Sequence, residues 1–504
     1  MNNMNEKTFI LLLILISFIP RIILAFLHIQ YPGIPHDFEV YLGGANLLLT
    51  GKPFYGVILD LELNRLFQYG PLLASIIAGW VYIFGSDYFL LKFPSIIFDC
   101  LTIIPFFYLI KRLSNQQIAK SLTIIFTFSD ILLYTSGMTG DDDAIMMFFI
   151  ILASYLLVNR KHKLSAVTLA IACGFKVVPF ILLPPIILYL YKGFGLRQIF
   201  KYLFLFIIAF LMILFPFYLN SGINVLHPYL GAHKTLISTP TLLAPLNLIR
   251  IIMGICMNAI HYLSTHTMIP YNENPLKSSV AHPINIFFDK ISTPFLILGF
   301  ILISWYILKF RMKNIEFEFI RNSFLFILTT LFFDKGMYYV YFIWLIPFFI
   351  SIIAFREIEN FRYVILKKVE ILGIIMVFIG LLIHACLFRW SSDIPEWQRV
   401  LFLMNPFLIA AGTYFMFFRS EFKIAWVLIV FAYASYREGL VNVLLVFKPI
   451  LVKFIPDTPI GPFATYLSYS TMFIQQFFDI ILIIIGMILL FIKVHKQLKL
   501  YILK

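Results

Sequence analysis

The stretch that decides the fold is TFILLLILISFIPRIILAFLH, residues 8–28, which is apolar over a length that crosses a membrane as a helix. It is too long for the core of a signal peptide and has no small-x-small cleavage site. We therefore expect an uncleaved first span with a cytoplasmic N-terminus. Snorkelling, an internal ion pair or a functional role would each explain Arg21, the basic residue inside this run.

The composition of the whole chain agrees with that first run. Its 504 residues are 61% hydrophobic and only 13% charged, and the mean hydropathy is +0.93. Soluble globular chains carry about 25% charged residues. The net charge of +14 would suit nucleic acid, but the Lys and Arg residues stand at the ends of apolar runs. That placement excludes a nucleic-acid patch and is typical of membrane orientation.

Apolar runs bounded by charges recur along the chain, and no alternating pattern of a β-barrel is present. The sequence therefore predicts an all-α, polytopic membrane protein with about 12–14 transmembrane helices. The runs fall at about 8–28, 90–110, 117–135, 143–159, 163–176, 177–191, 199–218, 288–308, 319–333, 338–354, 369–388, 400–418, 422–436 and 473–492.

The basic residues predict the orientation, since short cytoplasmic loops collect Lys and Arg. This rule places the N- and C-termini in the cytoplasm and the long connections 29–89, 219–287 and 437–472 on the outer side. In the first outer segment, residues 39–50 predict an amphipathic helix ended by Gly51. Residues 71–84 are apolar but too short to cross comfortably, so we interpret them as an interfacial or re-entrant helix. If they crossed, every later loop would change sides.

Carboxylates first stand beside the membrane in HDFEVY, residues 36–41. Asp37 and Glu39 could simply end a membrane segment in a solvated loop. Alternatively, a carboxylate at the membrane surface can act as general base for an attacking sugar hydroxyl. Asp37 is the better candidate because it precedes the predicted helix, whereas Glu39 lies in the first turn, where it would favour the helix N-terminus.

Three adjacent carboxylates, Asp141, Asp142 and Asp143, follow Gly140 between two apolar runs. A helix cap explains one of them but not all three. They could bind the acceptor, orient the base, or hold a divalent cation such as Mg²⁺ or Mn²⁺ through oxygen ligands. The histidines form no HExxH or comparable spacing, and we predict no established metal site.

Basic residues on the predicted outer face complement these acids. Lys176 interrupts an apolar stretch, and a charge there is costly unless it faces a polar cavity. Lys335, Arg65 and Arg250 are also placed on the outer side. Snorkelling to the interface explains Lys176 and Lys335 without function. The functional interpretation of all four is neutralisation of a phosphate on a lipid carrier.

Several short motifs together resemble the GT-C glycosyltransferases. They resemble above all the mannosyltransferases that add the first mannose in GPI-anchor assembly (GPI-anchor type I) and other polyprenyl-phosphate-mannose-dependent mannosyltransferases. The resemblance covers roughly residues 8–354, and the order and spacing of the motifs carry it. The motifs are DFEVY (37–41), LLTGKPFY (48–55), YGPLLA (69–74), FKVVP (175–179), FDK (333–335) and YFIWLIP (341–347).

The resemblance implies a multi-span fold with an extracytoplasmic active site and a polyprenyl- or dolichyl-phosphate sugar donor, often of mannose. The sugar would pass with inversion to a hydroxyl of a glycan or glycolipid acceptor. Asp37 matches the first-loop acid and takes the role of base; the second-loop acid lies within residues 141–143. The family's Asp-x-Asp is incomplete, because Pro35 stands where its first Asp is expected.

We therefore expect residues 1–354 to form a catalytic transmembrane module, with 29–89 as its first extracytoplasmic loop, and residues 355–504 to shape acceptor choice. The protein would be an integral multi-pass protein of the plasma membrane or endoplasmic reticulum, in contact with membrane lipid and with room for an accessory membrane subunit. The alternative function is a transporter or flippase of lipid-linked saccharides, which predicts internal repeats. A purely structural membrane subunit is a third alternative.

Overall fold

The computed structural model describes ten segments of the chain, and apart from one two-stranded ribbon their regular structure is helical. The segments are 4–28, 36–60, 65–230, 283–309, 314–333, 339–360, 367–387, 396–420, 423–438 and 478–494. The predicted all-α class is confirmed. The ribbon pairs β1 (Ile58–Asp60) with β2 (Arg65–Leu66) in antiparallel register.

The first part of the chain, up to residue 230, contains twelve helices in its described residues. They are α1 (Glu6–His28), α2 (His36–Leu49), α3 (Pro71–Phe84), α4 (Tyr88–Leu91), α5 (Phe93–Leu113), α6 (Gln116–Thr127), α7 (Asp130–Leu132), α8 (Asp143–Val158), α9 (His162–Cys173), α10 (Leu183–Phe194), α11 (Leu196–Ser221) and α12 (His227–Leu230). A π-helix (Leu133–Thr139) follows α7, and 3₁₀ turns cover Val178–Leu182 and Gly222–Leu226.

The later described segments are also helical. They comprise α13 (Pro283–Lys309), α14 (Ile315–Phe333), a 3₁₀ turn (Tyr339–Trp344), α15 (Ile346–Asn360), α16 (Lys368–Leu387), α17 (Glu396–Met416), α18 (Lys423–Glu438) and α19 (478–494). Two compact units divide the chain. The first holds residues 1–232, 303–327 and 340–367, and the second holds 233–302, 328–339 and 368–504.

Three of the described helical stretches are long and apolar enough to cross a membrane: Glu6–His28, Tyr88–Leu113 and Leu196–Tyr229. A fourth is counted if Gln116–Thr127 and Asp130–Thr139, which are bent by 48° at their break, form one span. Shorter apolar helices accompany them. These helices fit the predicted multi-pass membrane class, and the sides on which the termini and loops lie stay predictions.

The observed helices follow the apolar runs closely, with one consequential difference. The short apolar helix α3 begins at Pro71 and ends at Phe84, as predicted. Helix α2, by contrast, begins at His36 and not at residue 39, so Asp37 lies in its first turn. The expectation that Asp37 precedes the helix was therefore wrong. Asp37 and Glu39 both sit where a carboxylate offsets the positive end of the helix dipole.

The first predicted loop is a folded element with its own core. Aromatic rings from the region of the ribbon pack at right angles: Phe54 and Phe67 have ring centroids 5.2 Å apart. This core closes against α11 through Leu214, so the loop is fixed on a long apolar helix. Its buried members are Val40, Phe54, Tyr55, Phe67, Ala74, Leu214 and Val225.

A buried ion pair ties α1 to α5 and to the π-helix. The Nε of Arg21 donates to Asp99 Oδ2 at 2.7 Å, and Ser136 Oγ donates to the same oxygen at 2.5 Å. The other two nitrogens of the Arg21 guanidinium donate to the backbone carbonyls of Ser17 and Thr127. Both charged side chains are at most 2% exposed. Of the three explanations for Arg21, the structure shows the internal ion pair.

The Arg21–Asp99 pair should be essential for stability because removing one partner leaves a buried, uncompensated charge. We expect Arg21→Met to cost about 3–5 kcal/mol and Arg21→Met/Asp99→Leu to restore most of that loss. Lys111→Met is the matched control, since it breaks the more exposed Lys111–Glu6 pair and should cost at most about 1 kcal/mol. Unfolding of the purified protein in detergent measures all three. Equal losses from Arg21→Met and Lys111→Met would contradict the prediction.

Candidate active site

The three predicted acids lie in a turn whose shape is set by the π-helix before it. That helix ends at Thr139, and its C-cap Gly140 has φ +69°, a left-handed conformation that favours glycine. A Cβ at Gly140 would also lie 2.7 Å from Cγ of Lys92. Asp141 N–H donates to Thr135 O, and Thr139 Oγ1 donates to Asp141 Oδ2 at 2.7 Å. Asp141 is thereby fixed by its own turn.

The lysine of the site is placed by a backbone pairing between two distant motifs. Gly70 N–H donates to Phe175 O at 2.7 Å, and Leu72 N–H donates to Gly174 O at 3.1 Å. A Cβ at Gly70 would lie 2.1 Å from the Gly174 oxygen, so only glycine permits this approach. The pairing joins the YGPLLA motif to the FKVVP motif and holds Lys176 just past the end of α9.

Lys176 is bound to the acidic turn. Its Nζ lies 3.0 Å from Asp143 Oδ2 and 3.4 Å from Asp142 Oδ1, and its side chain is 16% exposed. The indole Nε1 of Trp344 donates to the other oxygen of Asp143 at 2.8 Å. The ammonium also lies 5.4 Å from the ring centroid of Tyr341. Asp143 is thus held from two sides, and the charge of Lys176 is balanced by carboxylates of its own chain.

Two tyrosines connect Asp37 to this ion pair. Tyr69 donates from its hydroxyl to Asp37 Oδ1 at 3.1 Å, and Tyr41 donates to Asp142 Oδ1 at 3.2 Å. Their rings meet edge to face with centroids 4.9 Å apart. Asp37 is also close enough to Asp141 to raise its pKa. The structure therefore gathers Asp37, the three acids of the turn and Lys176 into one site, which we call the acid–lysine cluster.

Of the remaining predicted site residues, Glu39 is partly buried and acts electrostatically on Tyr88. The backbone of Arg65 forms β2, and its side chain lies outside the described residues. Arg250 and Lys335 also lie outside them. The roles of Glu39, Arg65, Arg250 and Lys335 therefore stay predictions.

Sequence reasoning assigned no role to three residues that contact the cluster: Tyr41, Tyr69 and Trp344. One signal was available for Tyr41, which stands four residues after Asp37 on the same helix and hence on the same face. Tyr69 and Trp344 stand inside quoted motifs, but nothing local marks their polar atoms as partners of carboxylates. Their role depends on contacts with distant parts of the chain.

Burial, together with the crowding of carboxylates, raises their affinity for protons. Burial raises the pKa of Asp141 to about 8, and the nearby charges of Asp37 and Asp143 add to the effect. Burial also raises the pKa of Asp142 against the opposing effect of Lys176. Burial lowers the pKa of Lys176, but Asp142 and Asp143 outweigh that effect and raise it well above its usual value. Asp141 therefore favours its protonated form at neutral pH, while Lys176 stays charged.

The chemistry of the donor set does not favour a metal built from protein side chains alone. In the described part of the chain no three His, Cys, Asp or Glu side chains are arranged to hold a metal ion. Between Asp142 and Asp143 the countercharge is already the ammonium of Lys176. The residues present do not fit a metal with three protein ligands, and we assign no step to a cation.

Comparison with known proteins gives one family match. Residues 68–219 match the family model for dolichyl-phosphate-mannose-protein mannosyltransferases. The matched range contains Tyr69, the acidic turn and Lys176, while Asp37 lies before it. This match supports the GT-C glycosyltransferase class expected from the motifs. No curated protein matches the chain.

Five chains of solved structures also match. The crystal structure of ArnT from Cupriavidus metallidurans bound to undecaprenyl phosphate covers 96% of this chain and 77% of its own, with 11% identity and a TM-score of 0.48. The apo crystal structure of the Archaeoglobus fulgidus oligosaccharyltransferase covers 90% of this chain and 59% of its own, with 13% identity and a TM-score of 0.43.

The close approach at Gly70 can be tested by adding one methyl group. Gly70→Ala would drive its Cβ into the Gly174 carbonyl and break the pairing, so we expect a loss of more than about 2 kcal/mol from two backbone hydrogen bonds. Gly79→Ala, inside the helix α3 that Gly70 caps, meets nothing within 4 Å and should be neutral or stabilising by up to about 1 kcal/mol. Thermal unfolding in detergent compares them. Similar stability of the two variants would refute the pairing.

The raised pKa of Asp141 predicts a pH dependence of stability. Between its usual value of 3.8 and about 8, the folded protein binds a proton on Asp141 that the unfolded chain has released. The resulting stabilisation is complete below about pH 3.8, declines as the pH rises and is lost above about pH 8. Asp141→Asn should therefore flatten the fall in melting temperature between pH 5 and 8.

Asp87→Asn is the matched control for this pH dependence. Asp87 is an exposed N-cap of α4, and asparagine caps helices equally well. The control should keep the wild-type slope of melting temperature against pH. An Asp141→Asn protein with an unchanged slope would show that this carboxyl titrates normally.

Proposed function

We propose that the protein is an inverting glycosyltransferase that transfers a hexose, in the first instance mannose, from a polyprenyl- or dolichyl-phosphate donor. The acceptor is a hydroxyl of a glycan or glycolipid on the extracytoplasmic face. The observation that carries the proposal is the acid–lysine cluster. Its polar groups come from the first loop and the turn after α9, which carry motifs that resemble GT-C enzymes, and from the acidic turn, which the resemblance matches to the family's second-loop acid.

In the proposed reaction Asp37 is the general base. The acceptor hydroxyl gives its proton to the carboxylate of Asp37 while its oxygen attacks the anomeric carbon of the donor. The bond between that carbon and the phosphate oxygen breaks, and the lipid phosphate leaves with the bonding electrons. Attack on the face opposite the phosphate inverts the anomeric centre. Asp37 suits this role because it is partly exposed and its Oδ1 is oriented by Tyr69.

The acidic turn and Lys176 are proposed to shape the acceptor side of the site. Lys176 and Trp344 hold Asp143, and Tyr41 and Lys176 hold Asp142, so these oxygens are fixed before substrate arrives. Lys176 can also face the donor phosphate, in company with the predicted basic residues Arg65, Arg250 and Lys335.

The identity of the base is tested with purified protein, a polyprenyl-phosphate mannose and a hydroxyl acceptor. Asp37→Asn should lower the transfer rate by about 10²–10⁴-fold while donor binding and melting temperature stay near wild type. Glu39→Gln should have a smaller effect, because Glu39 faces Tyr88. Asp87→Asn serves as the control for carboxylate removal. Full transfer by Asp37→Asn would eliminate Asp37 as base, and wild-type protein that moves the lipid-linked saccharide without transferring it would favour the transporter alternative.

A further inference from the structure

A second buried lysine, Lys92, lies behind the acidic turn and has no part in the ion pairs described above. It stands between α4 and α5 and is 2% exposed. In the described part of the chain its ammonium contacts two backbone carbonyls and an imidazole, with no carboxylate among them. A buried ammonium without a countercharge is costly. An ionisable residue that is kept in a membrane helix despite this cost usually has a function.

The ammonium of Lys92 joins the C-terminal ends of two helices. Its Nζ donates to Met138 O, near the end of the π-helix, at 2.6 Å, and to Ala25 O, in the last turn of α1, at 3.5 Å. It also lies 3.3 Å from Nδ1 of His28, the last residue of α1. Carbonyls in the last turn of a helix lack helical partners and carry the negative end of its dipole. The three contacts match the three protons of an ammonium.

Lys92 and Ser95 together hold the chain that leads into the acidic turn. They are three residues apart at the start of α5, so their side chains are neighbours on the helix surface. Ser95 Oγ donates to Gly140 O at 2.9 Å. The carbonyls of Met138 and Gly140 are thus both bound by α5, and Asp141 is the next residue in the chain.

Gly140 also connects this anchor to the helix of the proposed base. A Cβ at Gly140 would lie 2.7 Å from Cγ of Lys92 and 3.0 Å from Cζ of Phe38, the residue after Asp37. The glycine is therefore packed between the stem of Lys92 and α2. This packing sets the start of the acidic turn against the helix that carries Asp37.

The three acids of the turn are held by different groups. Lys176 binds Asp142 and Asp143 directly. Asp141 instead bonds to two threonines of the π-helix before it, through its amide and its carboxylate. The place of Asp141 in the site therefore depends on what fixes the end of that π-helix, and Lys92 binds the helix there.

We propose that Lys92 is a positioning residue for sugar transfer, which fixes the acidic turn beside Asp37 by binding the end of the π-helix to α1. This inference rests on the proposed function. Lys92 is buried and acts through backbone carbonyls, not on substrate. Lysine suits this role because an ammonium supplies three donors from one atom, whereas an amide supplies two and a thioether none.

The test compares Lys92→Met and Ser95→Ala with wild type, using purified protein, a polyprenyl-phosphate mannose and a hydroxyl acceptor. We expect Lys92→Met to lower kcat by about 10–10²-fold, because a displaced turn misplaces groups of the site, while KM for the donor stays near wild type. Ser95→Ala removes one neutral hydrogen bond and should lower kcat less. In both variants hydrogen exchange of the amides of residues 138–143 should become faster than in wild type.

A double variant separates positioning from a loss of stability alone. If Lys92 acts through the turn, Lys92→Met should lower kcat less in an Asp141→Asn background than in wild type, because effects on one connected unit are not additive. Equal fold-losses of kcat in the two backgrounds would overturn the proposal. A Lys92→Met protein with a lower melting temperature but wild-type kcat would also overturn it.

Thr102→Val is the control for both variants. Thr102 lies on the same helix α5, and its buried hydroxyl donates within that helix, to Phe98 O at 2.7 Å. It should keep the wild-type kcat and the wild-type exchange of residues 138–143. Ser95→Ala that matches Thr102→Val in both measurements would contradict the anchor. Wild-type protein that transfers no sugar would overturn the proposed function, and the exchange measurement would still decide whether Lys92 holds the turn.

Discussion

The site depends on the attraction between one ammonium and the carboxylates that surround it. Four acids meet near Lys176, and two of them, Asp142 and Asp143, bond to it directly. Burying one such carboxylate without a partner would be costly, and burying several beside each other is worse. That cost is offset by the ammonium of Lys176, by the hydroxyl and indole groups that donate to the carboxylates, and by the proton that Asp141 retains.

This arrangement requires three separate parts of the chain to be held together. The pairing of Gly70 with Phe175 fixes the lysine turn to the first loop, and the left-handed Gly140 ends the π-helix so that the acids follow at once. Behind them, the Arg21–Asp99 pair fastens the π-helix to α1 and α5 through Ser136. π-Helices are often found at functional sites. Here the π-helix ends directly before Gly140 and the acidic turn.

Proton affinity links the structure of the cluster to its proposed chemistry. A general base must be ionised when substrate arrives, yet the neighbouring carboxyls favour the protonated form because they are crowded and buried. Each environment has its own hydroxyl donor, since Tyr69 donates to Asp37 and Tyr41 donates to Asp142. Burial raises the pKa of Asp141 and Asp142, and the charges of neighbouring carboxylates add to that effect.

The sequence by itself determined the helical membrane class and the residues capable of chemistry. Length and apolarity of each run decide whether a helix can cross a bilayer, and these are local properties that a sequence shows directly. Asp37, the acids of the turn and Lys176 could be selected as candidate site residues because a charged group beside hydrocarbon is energetically costly and usually has a function. The start of α2 was misplaced by three residues, since helix ends depend on weak local effects.

Only the tertiary structure decided how these groups are connected. Tyr41 and Asp142 are 101 residues apart in sequence, and Trp344 and Asp143 are 201 apart. No local pattern specifies such contacts, because hydrogen bonds and ion pairs depend on distances of about 3 Å that are fixed by packing of the whole unit. The structure therefore paired Lys176 with Asp142 and Asp143, placed Arg21 in an internal ion pair, and set the hydroxyls of Tyr69 and Tyr41 against Asp37 and Asp142.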